Sequence, residues 1–462
     1  MLAACGSSTS GPTCGTGTML DNGECVATGG SGNDTTCGTG THLSGNTCVP
    51  DGPAAHGAPT ITGMAPTEAG ITGNGAFQIV GTNFAGADIT DLHVYFGDTT
   101  PGTAQQPNPC EAPLAAASET QIGGQIPPAC ALSTTTTVTV VTNLGQAMTS
   151  FTYDALFAAD GDGGGAVGQL GDLYIIDPFA QLYYDMGVMN DGTSGYGMNG
   201  IAFAANGTLY GVTTGDSPGD ATLTAQLVTI APIGNASGPL VTPLGDLVDA
   251  GGNPWMVTDI KFVNGTLFGW GTQIGATANQ NPGQLVSIDT TTGAVTPIGT
   301  ATMVDDYDVF DGGLAFDGTT LFAAGFGAYP DTTVGTTGVY NSVDMTTGAL
   351  TPTAAPLDWG IGARVNAMAN VLGTLVAVVD NGSYGAEPAV AATGSQFFGE
   401  TLAIVDTTQT QIVSPAFELP AQIAAQSHVD ALDMAPASLV VQRPLDRAKW
   451  SKLAASVAPT KH

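Results

Sequence analysis

The chain has 462 residues and a net charge of −32, although only 10% of its residues are charged. The imbalance arises because 39 Asp and Glu stand against seven Lys and Arg. So few cations exclude nucleic acid as a partner, since its binding requires clustered positive charge. The acidic excess is compatible with bound Ca²⁺, with a basic partner or with solubility alone. The sequence contains no apolar run of about 18 residues, so no membrane-spanning helix is predicted.

Residues 1–12 contain Leu2-Ala3-Ala4-Cys5, followed by the Gly and Ser residues of a flexible linker. The motif resembles the lipobox of bacterial lipoproteins, in which the cysteine is acylated and becomes the mature N-terminus. The resemblance implies lipidation of Cys5 and a lipid-anchored location at the extracellular or outer-membrane surface. Because no charged or apolar segment precedes the motif, the signal peptide would have to be truncated here. A chance match in an Ala-rich chain is the alternative.

Residues 13–57 contain two similar cysteine-bearing segments separated by Gly, Ser and Asn linkers. The cysteine spacing differs from that of metal sites such as C-x₂-C, which favours disulfides formed in an oxidising compartment. Segments this short cannot bury a core, so they are interpreted as a disulfide-stapled stalk. A ligand-binding cysteine-rich module is the alternative. Of the pairings open to six cysteines, we expect the adjacent one: Cys14–Cys25, Cys37–Cys48 and Cys110–Cys130.

Residues 58–154 show short alternating strands separated by turn residues, the pattern of a β-sandwich. The segment resembles an IPT/TIG domain, which is an immunoglobulin-like sandwich. The resemblance covers the whole segment and rests on Ala65-Pro66-Thr67, Phe77–Phe84 and Val94-Tyr95-Phe96-Gly97. It implies a spacer or interaction module rather than a catalyst.

Residues 155–168 are interpreted as a Gly/Asp linker because they contain Asp160-Gly161-Asp162 followed by three glycines. The D-x-D-G order is similar to the start of a calcium loop. Gly171, however, stands where an EF-hand requires a bidentate Glu.

Residues 169–441 contain strand-rich repeats with a period of roughly 50 residues. Ser342–Pro352 matches Ser287–Pro297 almost letter for letter, and Ile201-Ala202-Phe203 recurs as Ile260-Lys261-Phe262. Four short strands per repeat are typical of a β-propeller blade, and five copies of each half-motif predict five blades. The pattern L-x-x-I-D-x-x-T-G is similar to that of propeller-type repeat proteins of bacterial surfaces, a resemblance that implies a fold and no chemistry.

Ring closure is expected from the two ends of this repeat region. The first half-motif, near Leu173, lacks partner strands before it, and the last, near Leu432, lacks partner strands after it. Strands from both ends would then complete one shared blade and remove the open sheet edges. The predicted fold is therefore all-β: an immunoglobulin-like sandwich followed by a closed propeller.

Residues 442–462 hold five of the seven basic residues of the chain. Pro444 and Asp446 suit a helix start, and Trp450, Leu453 and Val457 would share one helical face. A short basic helix is predicted, which would dock on the acidic body, contact a partner or lie on anionic lipid.

Candidate binding residues occupy the loops that enter the first strand of each blade, at one mouth of the central channel. Packing and turn capping are the alternative roles for these side chains. The candidates are Tyr196, Asn199, Trp255, Asp259, Tyr307, Asp308, Trp359, Arg364, Asn366, His428 and Asp430.

The sequence favours a non-catalytic, cell-surface lipoprotein that presents its propeller to an extracellular protein or polysaccharide as a monomer. Catalytic motifs such as H-E-x-x-H, G-x-S-x-G and a Walker loop are absent from the sequence, and no cofactor is expected. The alternative is a secreted Ca²⁺-dependent propeller enzyme of the lactonase or cyclotransferase type. That alternative requires acidic and Asn side chains that converge at the mouth. The candidate ligands are Asp259, Asp308, Asn366 and Asp430, with Asp308 and Asp430 foremost. A purely structural spacer is the third reading.

Overall fold

The structure is a computed structural model, and every regular element that it describes is a β-strand, from β1 to β36 in chain order. The predicted all-β class is confirmed. No helix that could cross a membrane is found in the part of the chain that the structure describes. The described residues are 18–21, 24–27, 41–44, 47–50, 56–73, 75–103, 106–130, 132–133, 135–161, 171–177, 180, 182–213, 224–235, 238–274, 283–302, 313–324, 340–352, 364–371, 374–380, 400–406, 411–418, 428–436, 439–441, 450–452 and 454–455.

Two hairpins form the N-terminal part. They pair β1 (Thr18–Asp21) with β2 (Glu24–Ala27), and β3 (Thr41–Ser44) with β4 (Thr47–Pro50). Cys25 lies on β2 and Cys48 on β4, whereas Cys5, Cys14 and Cys37 lie outside the described residues. The lipid anchor and the stalk disulfides therefore stay predictions.

A β-sandwich follows, as predicted. Its first sheet has the order β5 (Thr60–Ala65), β7 (Ala76–Thr82), β10 (Gln121–Gln125) and β9 (Leu114–Ala117), and its second β6 (Glu68–Gly70), β13 (Gly145–Asp154), β12 (Thr135–Thr142) and β8 (His93–Phe96). Alternate residues of β7 are buried, so Phe77 and Ile79 enter the shared core while Gln78 faces outward. Phe96, Phe151 and Tyr153 meet edge to face in this core.

The Cys110–Cys130 disulfide is present, with Cα atoms 5.5 Å apart. It holds an insertion along the edge of β8, where Phe96 N donates to Cys110 O and Ala112 N donates to Val94 O, both at 2.8 Å. The bond thereby covers a sheet edge that would otherwise present unpaired backbone groups.

Replacing both Cys110 and Cys130 with Ser is expected to lower the free energy of unfolding of the sandwich by about 3 kcal/mol. The physical reason is the larger conformational freedom of the unfolded chain, because the bond closes a loop between residues 20 positions apart. Urea unfolding measures the loss, and the unmodified chain with its disulfide reduced serves as the control. A loss below about 1 kcal/mol would contradict the prediction.

Five further sheets follow the sandwich within the described residues. In each sheet the strands are given from the inner strand outward. The first sheet has the order β33 (His428–Met434), β14 (Leu156–Gly161), β15 (Asp172–Asp177), β16 (Leu182–Val188) and β35 (Trp450–Lys452), and the second has the order β17 (Met198–Phe203), β18 (Leu209–Thr213), β19 (Gln226–Asn235) and β20 (Gly238–Asp246). The third sheet has the order β21 (Trp255–Val263), β22 (Thr266–Gln273), β23 (Gly283–Ile288) and β24 (Val295–Thr302), and the fourth has the order β25 (Leu314–Phe316), β26 (Leu321–Ala324), β27 (Tyr340–Val343) and β28 (Leu350–Pro352). The fifth sheet has the order β29 (Arg364–Val371), β30 (Thr374–Asp380), β31 (Glu400–Asp406), β32 (Gln411–Glu418) and β36 (Ala454–Ala455).

The inner strands of these sheets form a closed ring. In the order β33, β17, β21, β25 and β29, each strand contacts the next, and β29 contacts β33. Ala158 on β14 pairs with Leu432 on one side and with Tyr174 on the other, so both ends of the region share the first sheet. The predicted closure and propeller-like arrangement are confirmed, whereas the number of blades stays a prediction.

Neighbouring sheets dock through a repeated backbone contact. The turn carrying Thr292 lies against Gly245 on β20 of the preceding sheet, and a Cβ on Gly245 would approach Thr292 O to 2.0 Å. One sheet further on, a Cβ on Gly299 would approach Thr347 O to 1.8 Å. The repeated T-T-G turn and the glycine that closes each T-P-x-G segment are therefore two halves of one inter-sheet contact.

Two segments differ from the sequence-based expectation. The predicted linker 155–168 is wrong at its start, because β14 occupies Leu156–Gly161 and is buried throughout between β33 and β15. Residues 162–168 lie outside the described residues.

The predicted helix in 442–462 is also wrong, because the residues described there form the strands β35 and β36. Open edges of β16 and β32 offer backbone partners that override the local helical pattern.

The sandwich and the first sheet are joined by a buried polar contact and a continuous core. Asp177 Oδ2 accepts hydrogen bonds from Thr72 Oγ1 at 2.6 Å and Thr72 N at 3.1 Å. A Cβ on Gly70 would lie 2.5 Å from the same oxygen, which is why a glycine suits that position. A small sheet of β11 (Leu132–Ser133) with β34 (Val440–Val441) adds a second link.

Candidate binding face

The crossover face is the end of the sheets at which each outer strand leads into the inner strand of the next sheet. Two of its loops are described, residues 189–197 between β16 and β17 and residues 247–254 between β20 and β21. The corresponding loops before β25, β29 and β33 lie mostly or wholly outside the described residues. The two described loops share one construction, which is built around an aspartate.

Asp191 organises the first loop. Its Oδ1 accepts hydrogen bonds from Thr193 N at 2.8 Å, Thr193 Oγ1 at 2.7 Å and Ser194 N at 2.7 Å, and its Oδ2 accepts from the Tyr196 hydroxyl at 3.0 Å. These hydrogen bonds hold the pKa of Asp191 well below its usual range, and the bond from the Thr193 hydroxyl has the largest effect. The carboxylate stays charged and fixes both the turn and the half-buried ring of Tyr196.

Asp249 organises the second loop in the same way. Its Oδ1 accepts from Gly251 N at 2.8 Å and from Asn253 N at 3.0 Å, and its Oδ2 accepts from Trp255 Nε1 at 3.3 Å. Hydrogen bonds from the Asn253 amide are the main reason why the pKa of Asp249 is lowered. Each loop thus has an aspartate that ties the turn to an aromatic ring at its base.

Asp191→Asn is expected to lower the pKa of Tyr196 toward the ordinary value of 10.0 without reaching it. Burial is the first cause that raises the pKa of Tyr196, and the hydrogen bond and charge of Asp191 come second. Tyrosine-selective NMR titration measures the shift. Asp185→Asn, at an exposed position whose carboxylate caps Gly187 N instead, is the control. An unchanged Tyr196 pKa would contradict the assignment.

Below this face, near the ring axis, lies a buried ion network centred on Lys261. Its Nζ donates to Ile201 O at 3.2 Å and to Leu432 O at 2.5 Å, and lies 3.4 Å from Asp259 Oδ1 and 3.8 Å from Asp433 Oδ1. Lys261 is 3% exposed and Asp259 0%. One ammonium group therefore ties β21 to the inner strands β17 and β33.

The two carboxylates extend the network to further backbone donors. Asp259 Oδ1 accepts from Ile260 N at 2.8 Å, and its Oδ2 accepts from Leu314 N on β25 at 2.7 Å. Asp433 Oδ2 accepts from Phe203 N at 2.6 Å. Burial raises the pKa of both carboxyl groups, and Lys261 opposes that rise. Four inner strands are consequently joined by three charged side chains.

Four of the predicted mouth residues have described side chains, of which two are half-buried and two are buried. Tyr196 and Asn199 are half-buried, and Asn199 Nδ2 donates to Val257 O at 3.4 Å. Trp255 and Asp259 were expected in an accessible loop, but both lie on β21 and are buried, at 3% and 0% exposure. The reason is that β21 begins earlier than its repeat motif indicates, which places both residues inside the sheet.

The other predicted residues are located by the backbone only or not at all. Tyr307, Asp308 and Trp359 lie outside the described residues. Arg364 and Asn366 lie at the start of β29, and His428 and Asp430 at the start of β33, which is the crossover end of both strands. Their roles in binding stay predictions. No group of three or more His, Cys, Asp or Glu placed to hold a metal ion was found in the described part of the chain.

Sequence reasoning missed Asp191, Asp249, Lys261 and Asp433, although a signal existed for the last two. Ile260-Lys261-Phe262 and Leu432-Asp433-Met434 are copies of Ile201-Ala202-Phe203, so opposite charges occupy the alanine position of a buried strand. Charged side chains at such positions are seldom buried unless they are paired. Their pairing across the axis could have been predicted from the repeat alignment.

Comparison with known proteins gives distant structural matches. No family model and no curated protein matches the chain. A structural genomics protein of unknown function from Bacteroides thetaiotaomicron VPI-5482 is 13% identical, with a TM-score of 0.25, over 69% of this chain and 95% of its own.

Two further solved structures are similarly remote. A DUF4784 family protein from Bacteroides caccae ATCC 43185 is 9% identical, with a TM-score of 0.30, over 81% of this chain and 99% of its own. SGBP-B from a complex xyloglucan utilization locus in Bacteroides uniformis is 14% identical, with a TM-score of 0.16, over 63% of this chain and 83% of its own. Similarity at this level is too low to transfer a function, so the functional argument rests on the site itself.

Proposed function

We propose that this chain is a non-catalytic binding protein of the cell surface, anchored through Cys5, whose crossover face receives an extracellular protein or polysaccharide. The observation that carries the proposal is the shared construction of the two described loops. Asp191 and Asp249 each engage at least three donors of their own loop. Loops ordered before a ligand arrives lose less conformational entropy on binding, which favours recognition.

Among the candidate calcium ligands, Asp259 is the one whose side chain is described. Its geometry near the ring axis argues against the enzymatic alternative. Both oxygens of Asp259 accept backbone hydrogen bonds, and Lys261 lies beside them. A carboxylate engaged in this way and fully buried has no free lone pair directed at solvent for Ca²⁺ or a substrate. Metal titration tests the other calcium candidates, which are Asp308, Asn366 and Asp430.

Binding is tested with the full chain against soluble polysaccharides and proteins of a bacterial envelope extract. The face-blocking variant carries Thr193→Arg and Ala250→Arg, at two exposed loop positions. The matched control carries Ala205→Arg and Thr266→Arg, with the same change of charge at the hairpin ends opposite the crossover face. We expect the blocking variant to lose at least about tenfold in affinity, equal to about 1.4 kcal/mol, and the control to keep its affinity.

Two results would contradict the proposal. Equal loss in both double variants would place binding away from the crossover face. Stoichiometric Ca²⁺ binding by calorimetry, abolished by Asp308→Asn with Asp430→Asn and accompanied by lactone hydrolysis, would establish the enzymatic alternative. The anchor is checked separately: palmitate labelling of a chain expressed behind a lipoprotein signal peptide should disappear in Cys5→Ser.

A further inference from the structure

The C-terminal segment adds one strand to each of two different sheets. β35 pairs antiparallel with β16, with Trp450 opposite Tyr184 and Lys452 opposite Leu182. β36 pairs antiparallel with β32, with Ala455 opposite Phe417. Both β16 and β32 are outer strands, so the segment covers two edges that would otherwise be open.

These two sheets are the ones between which the ring closes, since β29 of the fifth sheet contacts β33 of the first. One residue, position 453, separates the end of β35 from the start of β36. Consecutive Cα atoms are about 3.8 Å apart, so the two strands are separated by at most about 8 Å. The segment therefore links the outer strands of the fifth and first sheets, whose inner strands β29 and β33 are in contact.

Charge complementarity favours a basic segment at this place. Residues 442–462 carry five Lys or Arg and one acidic residue, a net charge of +4, which leaves −36 on the rest of a chain whose total is −32. Long-range attraction between such charges raises association rates and weakens with salt. The described part of this basic segment, β35 and β36, pairs with strands of the strongly acidic remainder of the chain.

The pairing itself is short. It involves three residues of β35 and two of β36, which provides only a few backbone hydrogen bonds. The net contribution of each such bond is small, because the same backbone groups can bond to water instead, so a competitor of the same chemistry can displace the segment. In the described residues, the second, third and fourth sheets carry no added strand at their outer edges.

We propose that the outer edges of β16 and β32 form an acceptor surface for an extended basic peptide, which β35 and β36 of the chain occupy in the absence of a partner. A partner that carries a basic, strand-forming segment would bind by strand addition after displacing these residues. This surface lies on the outer strands and is separate from the loops of the crossover face. The inference therefore does not depend on the proposed function.

The test uses full-length variants and a labelled peptide with the sequence of residues 443–462. The acceptor variant carries Ser451→Pro, Ala454→Pro and Ala455→Pro, which removes strand donors from the segment and keeps its charge. The matched control carries three prolines at Ser456, Val457 and Ala458, which lie after β36 in the sequence. Fluorescence anisotropy is expected to show at least tenfold tighter peptide binding by the acceptor variant than by the control or the unmodified chain, with weaker binding at higher salt.

Three outcomes would overturn the proposal: a folded acceptor variant that does not bind the peptide, an unmodified chain that binds it equally well, or equal binding of a peptide in which every Lys and Arg is Glu. Hydrogen exchange on the unmodified chain provides a measurement that needs no variant. Excess unlabelled peptide should accelerate amide exchange in β35 and β36. Unchanged exchange there would also overturn it.

Discussion

Lys261→Met is expected to lower the free energy of unfolding by about 3–5 kcal/mol, the largest effect of any single substitution considered for this chain. The ammonium group of Lys261 is buried between Asp259 and Asp433 and donates to two main-chain oxygens. Removing it leaves two carboxylates facing each other without a cation, in surroundings that already raise the pKa of both. Methionine keeps most of the side-chain volume, so the loss measures charge rather than packing.

A triple variant separates this explanation from a packing defect. Lys261→Met combined with Asp259→Asn and Asp433→Asn removes the uncompensated charge and should regain most of the lost stability. Urea unfolding followed by tryptophan fluorescence measures each variant. A loss below about 1 kcal/mol for Lys261→Met, or a triple variant no more stable than the single one, would show that the ion network does not hold the inner strands together.

The same substitution should change the dependence of stability on pH. A carboxyl group whose pKa is higher in the folded than in the unfolded state binds its proton more tightly when folded, so stability falls as pH rises between the two values. Burial raises the pKa of Asp259 to about 7 with Lys261 in place, and loss of the lysine raises it further. The loss in the free energy of unfolding caused by Lys261→Met should therefore be larger at pH 8 than at about pH 5.

Gly245→Ala is expected to destabilise the propeller region by about 1–3 kcal/mol, the cost typical of overpacking. The new Cβ would lie 2.0 Å from the main-chain oxygen of Thr292, and a backbone atom cannot move aside as a flexible side chain can. Either the second and third sheets separate slightly or the T-T-G turn is displaced. Trp255 and Trp270 are buried in the third sheet and report its unfolding by fluorescence.

The matched control is Gly63→Ala, since a Cβ on Gly63 meets nothing within 4 Å. Its cost should stay within about 0.5 kcal/mol, as for most surface substitutions. Gly299→Ala compared with Gly318→Ala extends the test, because both glycines have positive φ, at 71° and 96°, and a Cβ would clash only on Gly299. Equal losses within each pair would show that the inter-sheet contact contributes nothing to stability.

The start of the propeller region shows how much of the fold was present in the repeats. Leu156-Phe157-Ala158-Ala159 on β14 is identical to Leu321-Phe322-Ala323-Ala324 on β26, and both are second strands of their sheets. The glycine-rich residues that follow β14 suggested a linker and concealed this copy. Local composition was thus less informative than comparison of the repeats with one another.

The C-terminal segment could not have been placed from its own residues. Trp450, Leu453 and Val457 have helical spacing, yet the described residues of the segment pair as strands with β16 and β32. The preference of a short segment is worth less than the hydrogen bonds that an open sheet edge offers. Those edges exist only after the first and fifth sheets have formed.

The candidate site likewise has one feature that the sequence predicts and another that only the structure shows. The position of the loops at one end of the sheets follows from strand alternation and repeat length, which are properties of the sequence. The capping of Tyr196 by Asp191 depends instead on the path of the loop in space.

By itself, the sequence determined the all-β class, the sandwich, the repeated four-stranded sheets and their closure by strands from both ends, because alternation and repetition are local patterns that a chain displays directly. Only the tertiary structure decided which side chains lie near the axis, why Trp255 and Asp259 are buried, and where residues 450–455 pair. Burial and edge pairing depend on contacts between residues far apart in the chain, as in the hydrogen bond from Lys261 to Leu432.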